Sequence, residues 1–380
     1  MNWTRITVLC LLWSGSSRVS ALDYVTFEQD GNRLTLAGRI LTEAADGGLL
    51  VEDRAGVLWA VQPKELVSRN QGDTPFLYFS PPELQTQLLA QLPQGFRAHT
   101  TANYVICYNT SPVYAQWCGS LYERLFRAFY NYWERRGLEL KRPELPLIAF
   151  VFEDQSSYET YGRAELGNAA RSVIGYYSLR TNRVAMYDLT GTKGLQGAVR
   201  RVTSTAQINT LLAQPGAERT VATIIHEATH QIAYNCGLHK RYADIPLWAS
   251  EGLAIFFETP DLRSSQGWRN IGVVHAERLA QFRRYLSARP SDSLRTLLAE
   301  DRRFRQADTA LDAYAEAWAL NHFMISTRLK DYVRYQQRLS AKPLLIYSTT
   351  EERLSEFQQA FGEDLAALDA EFLRYVAGLR

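Results

Sequence analysis

The sequence has little cysteine and almost no net charge. Its 380 residues include four cysteines, and 42 lysines and arginines stand against 40 aspartates and glutamates. No two cysteines have the CxxC spacing, so a cysteine-based structural zinc site is not predicted. A chain close to neutrality has no electrostatic reason to bind nucleic acid or an anionic membrane. We therefore expect neither partner.

The chain also lacks an apolar run of transmembrane length, which needs about 20 residues. Residues 1–21 instead have the pattern of a secretory signal peptide. Arg5 gives a positive start, residues 6–13 are apolar, and residues 19–21 (VSA) form a small-residue cleavage site. A buried first strand is the alternative interpretation. The prediction is an exported protein, periplasmic or extracellular, without a transmembrane segment.

Few cysteines remain once the signal peptide is removed. Cys10 would leave with it, and Cys107, Cys118 and Cys236 would stay. Three cysteines cannot all pair within one chain. An oxidising compartment permits a disulfide between Cys107 and Cys118, but the sequence leaves that pairing open. Cys236, at the end of a predicted helix, is expected to be a small buried residue.

The region that follows the signal peptide divides into three parts. Residues 22–70 combine β-forming residues with turn signals at hairpin spacing, which predicts a small antiparallel β-rich module. Residues 71–98, with four prolines, are interpreted as a connector with one helical turn. Residues 99–380 form the main domain, and no internal repeat or low-complexity segment interrupts it.

The main domain begins with strands and ends with helices. Apolar runs predict strands at 104–108, 146–152 and 183–187. Helical periodicity predicts helices at 112–136, 274–287, 312–328, 330–340 and 363–379. This order predicts an α+β fold, in which the β-module precedes a mixed-sheet subdomain and a helical C-terminal subdomain.

One helix carries the strongest functional signal. At 100° per residue, residues 218–237 gather their aliphatic side chains on one side and place His226, Glu227 and His230 on the other. Two histidines four residues apart direct their rings at one point, where the intervening glutamate reaches a metal-bound water. This is the H-E-x-x-H arrangement of zinc hydrolases. A charged, solvated helix face is the alternative.

A catalytic zinc site needs a third protein ligand and an open position. The metzincin solution is excluded, because Cys236 stands six residues after His230, where the third histidine would lie. A second helix is predicted from Pro246, and it places Glu251 and Glu258 seven residues apart on nearly one face. One carboxylate is expected to bind the metal while the other orients a ligand; the spacing does not decide which.

Two segments of the chain resemble a known group of enzymes. Residues 226–230 (HEATH) and 248–252 (WASEG) are similar to the motifs of the gluzincin metallopeptidases, whose third zinc ligand is the glutamate of a W-x-x-E-G segment. More narrowly, residues 104–380 resemble a peptidase-MA-like bacterial family that is grouped as a domain of unknown function. The β-module lies outside the resemblance.

The resemblance implies a zincin-like subdomain that holds one zinc ion per chain. By position, His226, His230 and Glu251 would be the metal ligands and Glu227 the general base. Glu258 would then contact one of the metal ligands and fix its orientation without binding the metal itself.

Two further features follow from the same resemblance. Many gluzincins have a Y-x-x-G segment whose tyrosine donates to the oxyanion, and residues 314–320 (YAEAWAL) are similar, although Ala317 stands where the glycine often lies. Tyr314 is therefore a candidate catalytic residue; a core aromatic at a helix start is the alternative. The strand at residues 183–188 is a candidate edge strand for an extended peptide, or simply a strand of the sheet.

The leading hypothesis is an exported zinc metallopeptidase that hydrolyses peptide bonds with a metal-activated water and a glutamate base. A non-catalytic zinc-containing binding protein of the cell envelope is the competing one. In a third, the β-module is the functional part and anchors the protein to a partner or a polymer. The sequence leaves the peptide or protein substrate and the choice between endo- and exopeptidase open.

The remaining candidate residues give weaker evidence of a function. His275 and His322 lie on predicted helices and are interpreted as surface or core residues rather than ligands. His239 lies in the loop after the H-E-x-x-H helix, where a surface role is favoured over one in a cleft. The basic cluster at residues 302–305 is expected to be solvated surface.

Overall fold

A computed structural model describes residues 21–191, 204–214, 217–259, 268 and 271–380. All but the last residue of the predicted signal peptide therefore lies outside the described residues. None of the helices in the described part of the chain is long and apolar enough to cross a membrane. The chain forms two compact units, which are the described residues up to Arg54 with Trp59–Tyr78, and Ala55–Leu58 with Phe79–Arg380.

An antiparallel sheet of five strands begins the chain, which confirms the predicted β-module. The strands are β1 (Ala21–Gln29), β2 (Asn32–Glu43), β3 (Leu49–Asp53), β4 (Leu58–Val61) and β5 (Leu66–Pro75), in the order β4-β3-β2-β1-β5. Asp30 and Gly31, both with positive φ, make the two-residue turn between β1 and β2. Val25, Phe27 and Val51 lie in the core of this sheet.

The structure differs from the predicted connector at residues 71–98. Strand β5 continues to Pro75, and a ten-residue helix, α1 (Pro81–Ala90), follows. Prolines interrupt helix interiors but favour the first turn, where the missing N–H has no partner to lose. Ser80 and Glu83 form a capping box at the same end. The prolines therefore start a helix here instead of preventing one.

A mixed sheet forms the first part of the main domain. Its strands are β6 (Arg97–Thr100), β7 (Tyr104–Tyr108), β8 (Leu147–Phe152), β9 (Gly175–Tyr177) and β10 (Arg183–Tyr187), in the order β6-β7-β8-β10-β9. The central strands β7, β8 and β10 are parallel and fully buried, as their unbroken apolar runs predict. β6 and β9 pair antiparallel at the two edges.

Helices make up the rest of the described chain. Those before the C-terminal region are α2 (Pro112–Glu134), α3 (Gln155–Leu166), α4 (Thr205–Leu212), α5 (Glu218–Asn235) and α6 (Leu247–Phe257). The C-terminal ones are α7 (Ala276–Tyr285), α8 (Ser293–Ala299), α9 (Arg302–Arg305), α10 (Ala310–Thr327), α11 (Leu329–Ala341), α12 (Thr350–Phe361) and α13 (Leu365–Gly378). The α+β fold and the helical C-terminal region agree with the prediction. The unpredicted α12 begins at a capping box between Thr349 and Glu352.

The three described cysteines are all free and buried. Cys107 lies in β7 and Cys118 in α2, so the disulfide that the sequence left open is not formed in this structure. Burial raises the pKa of the Cys107 thiol to about 12. Cys236 is also buried, as predicted. These thiols are therefore poor nucleophiles at neutral pH.

A buried group of charges fixes the segment between α5 and α6 to the C-terminal helices. Asp244 is only 2% exposed. Its Oδ2 accepts hydrogen bonds from Lys342 Nζ, Arg353 Nε and the Ser348 N–H, each at 3.2 Å. Burial alone would raise the pKa of Asp244, but Arg353 and Lys342 outweigh it and hold the pKa at about 2.

We expect Asp244→Asn to lower the free energy of unfolding by about 3 kcal/mol at pH 7, because Lys342 and Arg353 lose a buried counter-charge. Since the folded-state pKa of Asp244 lies below its ordinary 3.8, the wild-type advantage is complete above that value and shrinks as pH falls towards 2. Urea unfolding at pH 7 and pH 3 measures this, with the exposed Asp308→Asn as the matched control. A difference that does not change with pH would contradict the assignment.

Candidate metal centre

Helix α5 presents the H-E-x-x-H residues because its other face is fixed in the interior. Val221, Ile225 and Ile232 are fully buried, and the helix packs against α2, α6 and the strands β9 and β10. Residues four apart lie on the same helix face. Burial of the aliphatic face therefore turns His226 and His230 together towards α6.

Three ligand atoms converge between α5 and α6. His226 Nε2 lies 3.0 Å from His230 Nε2 and 3.0 Å from Glu251 Oε2, and His230 Nε2 lies 3.3 Å from the same oxygen. Tetrahedral ligands about 2.0–2.1 Å from a zinc ion are about 3.3 Å apart, so the three atoms are close to the separations that a zinc ion would require. Two imidazole nitrogens and one carboxylate oxygen are also the donor types of catalytic zinc. The chain therefore fits the metal that the motif implies.

Glu251 is placed by close packing of α6 on α10. Trp248 stacks on Tyr335 with 5.5 Å between ring centroids, and its carbonyl accepts a hydrogen bond from Asn321 Nδ2 at 2.8 Å. At Gly252, a Cβ would lie 2.5 Å from the Ala317 carbonyl oxygen. Only glycine allows the two helices to approach so closely.

The structure separates the roles of the two glutamates that the spacing left equivalent. Glu251 belongs to the converging set, whereas Glu258 Oε1 contacts His226 Nδ1 at 2.5 Å, on the far side of the ring. The other oxygen of Glu258 lies 3.2 Å from His275 Nε2. Glu258 therefore fixes the orientation of His226 with Nε2 directed at the centre.

The two carboxylates are held in their ionised form. Burial opposes ionisation of Glu251, but the charges and hydrogen bonds of His230 and His226 outweigh it and lower its pKa. For Glu258, hydrogen bonds from His226 and His275 outweigh burial in the same way. Burial lowers the pKa of His226, but Glu251 and Glu258 outweigh that effect and raise it, so a metal ion competes with a proton at this histidine.

Glu227 is held by the edge of the mixed sheet. Its Oε2 accepts a hydrogen bond from the Tyr177 N–H at 2.7 Å, and Tyr177 ends the edge strand β9. Burial raises the pKa of Glu227 although His226 and His230 act in the opposite direction. The proposed edge strand at residues 183–188 was wrong, because β10 pairs with strands on both sides; the short β9, which was not predicted, forms the edge.

Tyr314 lies on α10 within electrostatic reach of the metal centre. Its ring packs edge-on against Phe304, with centroids 5.2 Å apart, and the Arg278 guanidinium lies 5.7 Å from its centroid. The negative charge of Glu251 is the main cause that raises the pKa of the Tyr314 phenol, followed by burial and the charge of Glu227. The phenol therefore keeps its proton and can donate a hydrogen bond.

Of the other histidines, His239 differs from its sequence-based interpretation and His322 agrees with it. His239 is 1% exposed, and its Nε2 lies 3.2 Å from Gln336 Oε1, so the favoured surface role was wrong. Burial lowers its pKa to about 4. His322 is a core residue, hydrogen-bonded to Tyr375. His275, not considered as a site residue, contacts Glu258; no short motif spacing links the two, which is why the sequence did not reveal it.

Only part of the basic cluster at residues 302–305 is solvated. Arg302 and Arg305 are largely exposed, as predicted. Arg303 instead forms an ion pair of 2.8 Å with the fully buried Glu316. The cluster thus anchors α9 on α10 through one of its three cations.

The comparisons with known proteins match part of the chain to a family model. Residues 220–345 match a family model described as a protein of unknown function, DUF1570. The match includes His226, Glu227, His230, Glu251 and Tyr314, and it covers neither the β-module nor any strand of the mixed sheet. No curated protein matches the chain. The family description gives no activity, so the chemistry of the site is argued from its geometry.

We expect Glu258→Gln to weaken zinc binding by about 10- to 100-fold, because His226 loses the charge that fixes its ring. Zinc affinity can be measured by competition with a chelator of known affinity at neutral pH. The exposed Glu363→Gln is the matched control and should bind zinc like the wild type. Equal affinity for Glu258→Gln and the control would show that the His226 contact does not support metal binding.

Proposed function

We propose that the protein is an exported zinc-dependent peptidase of the gluzincin type. The observation that carries the proposal is the convergence of His226 Nε2, His230 Nε2 and Glu251 Oε2 at 3.0–3.3 Å, with Glu227 on the same helix. Two histidines, one carboxylate and an adjacent free carboxylate are what metal-assisted hydrolysis needs. The export rests on the signal-like residues 1–21, and the resemblance of residues 226–252 to gluzincins adds support.

A bound zinc ion would supply Lewis acidity and lower the pKa of water at the site. In the proposed reaction, Glu227 takes the proton from that water and returns it to the leaving amine. Its raised pKa makes it a stronger base than an exposed glutamate, while the Tyr177 N–H fixes one of its oxygens. The other oxygen is thus the one available to a proton in transit.

Tyr314 is assigned the role of hydrogen-bond donor to the substrate. Negative charge develops on the carbonyl oxygen as a peptide bond is attacked, and a positioned O–H group stabilises it. The Tyr314 phenol keeps its proton because Glu251 and burial raise its pKa. Strand β9, at the edge of the sheet beside Glu227, offers backbone groups to an extended peptide.

Metal content and hydrolysis test the proposal. We expect the purified protein to contain about one zinc ion per chain, and His230→Ala to contain none, because two ligands do not hold the metal. Glu227→Gln should retain zinc but lose on the order of 10²- to 10⁴-fold in peptide hydrolysis, because it lacks the base. Elemental analysis and cleavage of a peptide library measure the two effects.

The outcomes separate the competing hypotheses. Zinc in the wild type without cleavage that depends on Glu227 would support the non-catalytic zinc-containing binding protein. No zinc in either protein after incubation with the metal at neutral pH would overturn the metal site itself. Glu363→Gln controls for the loss of a carboxylate elsewhere in the chain.

The phenol of Tyr314 has its own test. We expect Tyr314→Phe to lower kcat by about 10²- to 10³-fold with little change in KM or zinc content, because only a transition-state hydrogen bond is removed. Packing against Phe304 is retained in this variant. Tyr375→Phe, which removes a phenol from the contact with His322, is the matched control. A rise in KM with kcat unchanged would assign Tyr314 to substrate binding instead.

A further inference from the structure

A cavity of about 670 Å³ lies beside the metal centre. Helix α5 lines it with Ala222 and Thr223, and the rest of the lining includes Glu258, Leu311, residues 273–275 and one side of α7. Thr223 precedes His226 by three residues, less than one turn of the same helix. A side chain next to the reacting peptide bond is therefore within reach of this cavity.

Arg278 is a cation in the wall of this cavity, and its guanidinium has N–H donors that are not used in hydrogen bonds to the described residues. Its side chain is 25% exposed, and the closest carboxylate oxygen, Glu258 Oε2, lies 3.9 Å from Nη2. That separation is too long for a hydrogen bond. Among the described residues, the only other contact of the guanidinium is the Tyr314 ring, 5.7 Å from its centroid. The five N–H donors of Arg278 therefore lack protein acceptors there.

Glu258 forms only a long ion pair with Arg278, because both of its oxygens have closer partners. Glu258 is already bound at both oxygens, by His226 at 2.5 Å and by His275 at 3.2 Å. Glu277 has an interaction of its own with another residue. At the outer part of α7, Arg284 adds a second cation, whose Nη2 donates to Gln281 Oε1 at 2.5 Å. The lining thus holds two carboxylates and two guanidiniums, and the hydrogen-bond donors that it leaves available to a ligand are those of Arg278.

We propose that this cavity receives a carboxylate group of the peptide substrate and that Arg278 determines the specificity for it. A guanidinium pairs with a carboxylate through two parallel hydrogen bonds, which a neutral amide does not reproduce. The carboxylate comes from an aspartate or glutamate side chain or from the C-terminus of a short peptide. This inference rests on the proposed peptidase function, since the ligand is placed as a residue beside the bond that is cut.

Binding without turnover tests the inference directly. The protein is zinc-loaded Glu227→Gln, and the probes are N-acetylated, alanine-rich hexapeptides of three kinds. One has a central glutamate and an amidated C-terminus, one has glutamine there, and one has glutamine with a free C-terminal carboxylate. Calorimetry should show a carboxylate peptide binding on the order of 10- to 100-fold more tightly than the neutral one.

The preference should depend on Arg278 alone. We expect Arg278→Gln to abolish it, while Arg278→Lys keeps part of it, because a point charge replaces the bidentate fork. Arg283→Gln is the matched control, since Arg283 lies on the same helix and donates to the Leu379 carbonyl. Zinc content and circular dichroism establish that each variant is folded and loaded.

The results test the carboxylate specificity and the peptidase activity separately. Equal binding of all three peptides, or a preference that survives Arg278→Gln, would overturn the carboxylate specificity. Cleavage by the Glu227-containing enzyme without such a preference would leave the peptidase and remove only this inference. An Arg278-dependent preference in binding, without any Glu227-dependent cleavage, would overturn the peptidase and retain the carboxylate site. Which of the two carboxylate peptides binds more tightly identifies the source of the group.

Discussion

The burial of one face of α5 is the constraint from which the metal centre follows. Its aliphatic residues are held by the mixed sheet and by α2, and this fixes the rotation of the helix about its axis. A small rotation would move both histidine rings away from Glu251. Hydrophobic packing, which has no chemical function of its own, thus determines where the two imidazole nitrogens lie relative to Glu251.

The sequence predicted those features that depend on local periodicity. The H-E-x-x-H helix, the buried central strands and the main C-terminal helices each have a repeat that a single segment displays. His226, Glu227 and His230 were found because four residues make a helical turn. Motif spacing limited the candidate third ligand to Glu251 or Glu258, the resemblance to gluzincins favoured Glu251, and in the structure it is Glu251 that converges with the two histidines.

Features that depend on contacts between distant segments were not predicted. His275 meets Glu258 across a loop, and Tyr177 reaches Glu227 from a strand that is only three residues long. A short edge strand has too few residues to display a period. His239 was assigned to the surface because it lies in a loop, yet packing of α11 over that loop buries it against Gln336. In each case the decisive partner lies far along the chain.

The hydrogen bond between the Tyr177 amide and Glu227 bears on which residues can occupy position 177. Its donor belongs to the main chain, so every residue except proline supplies the same group at position 177. The Tyr177 side chain has contacts of its own, a hydrogen bond to Asn182 and a stacked ring on Tyr234, but the support of Glu227 does not require them. The position of Glu227 therefore depends on the main chain of β9 and not on the type of side chain at position 177. Only a displacement of that strand would break the hydrogen bond.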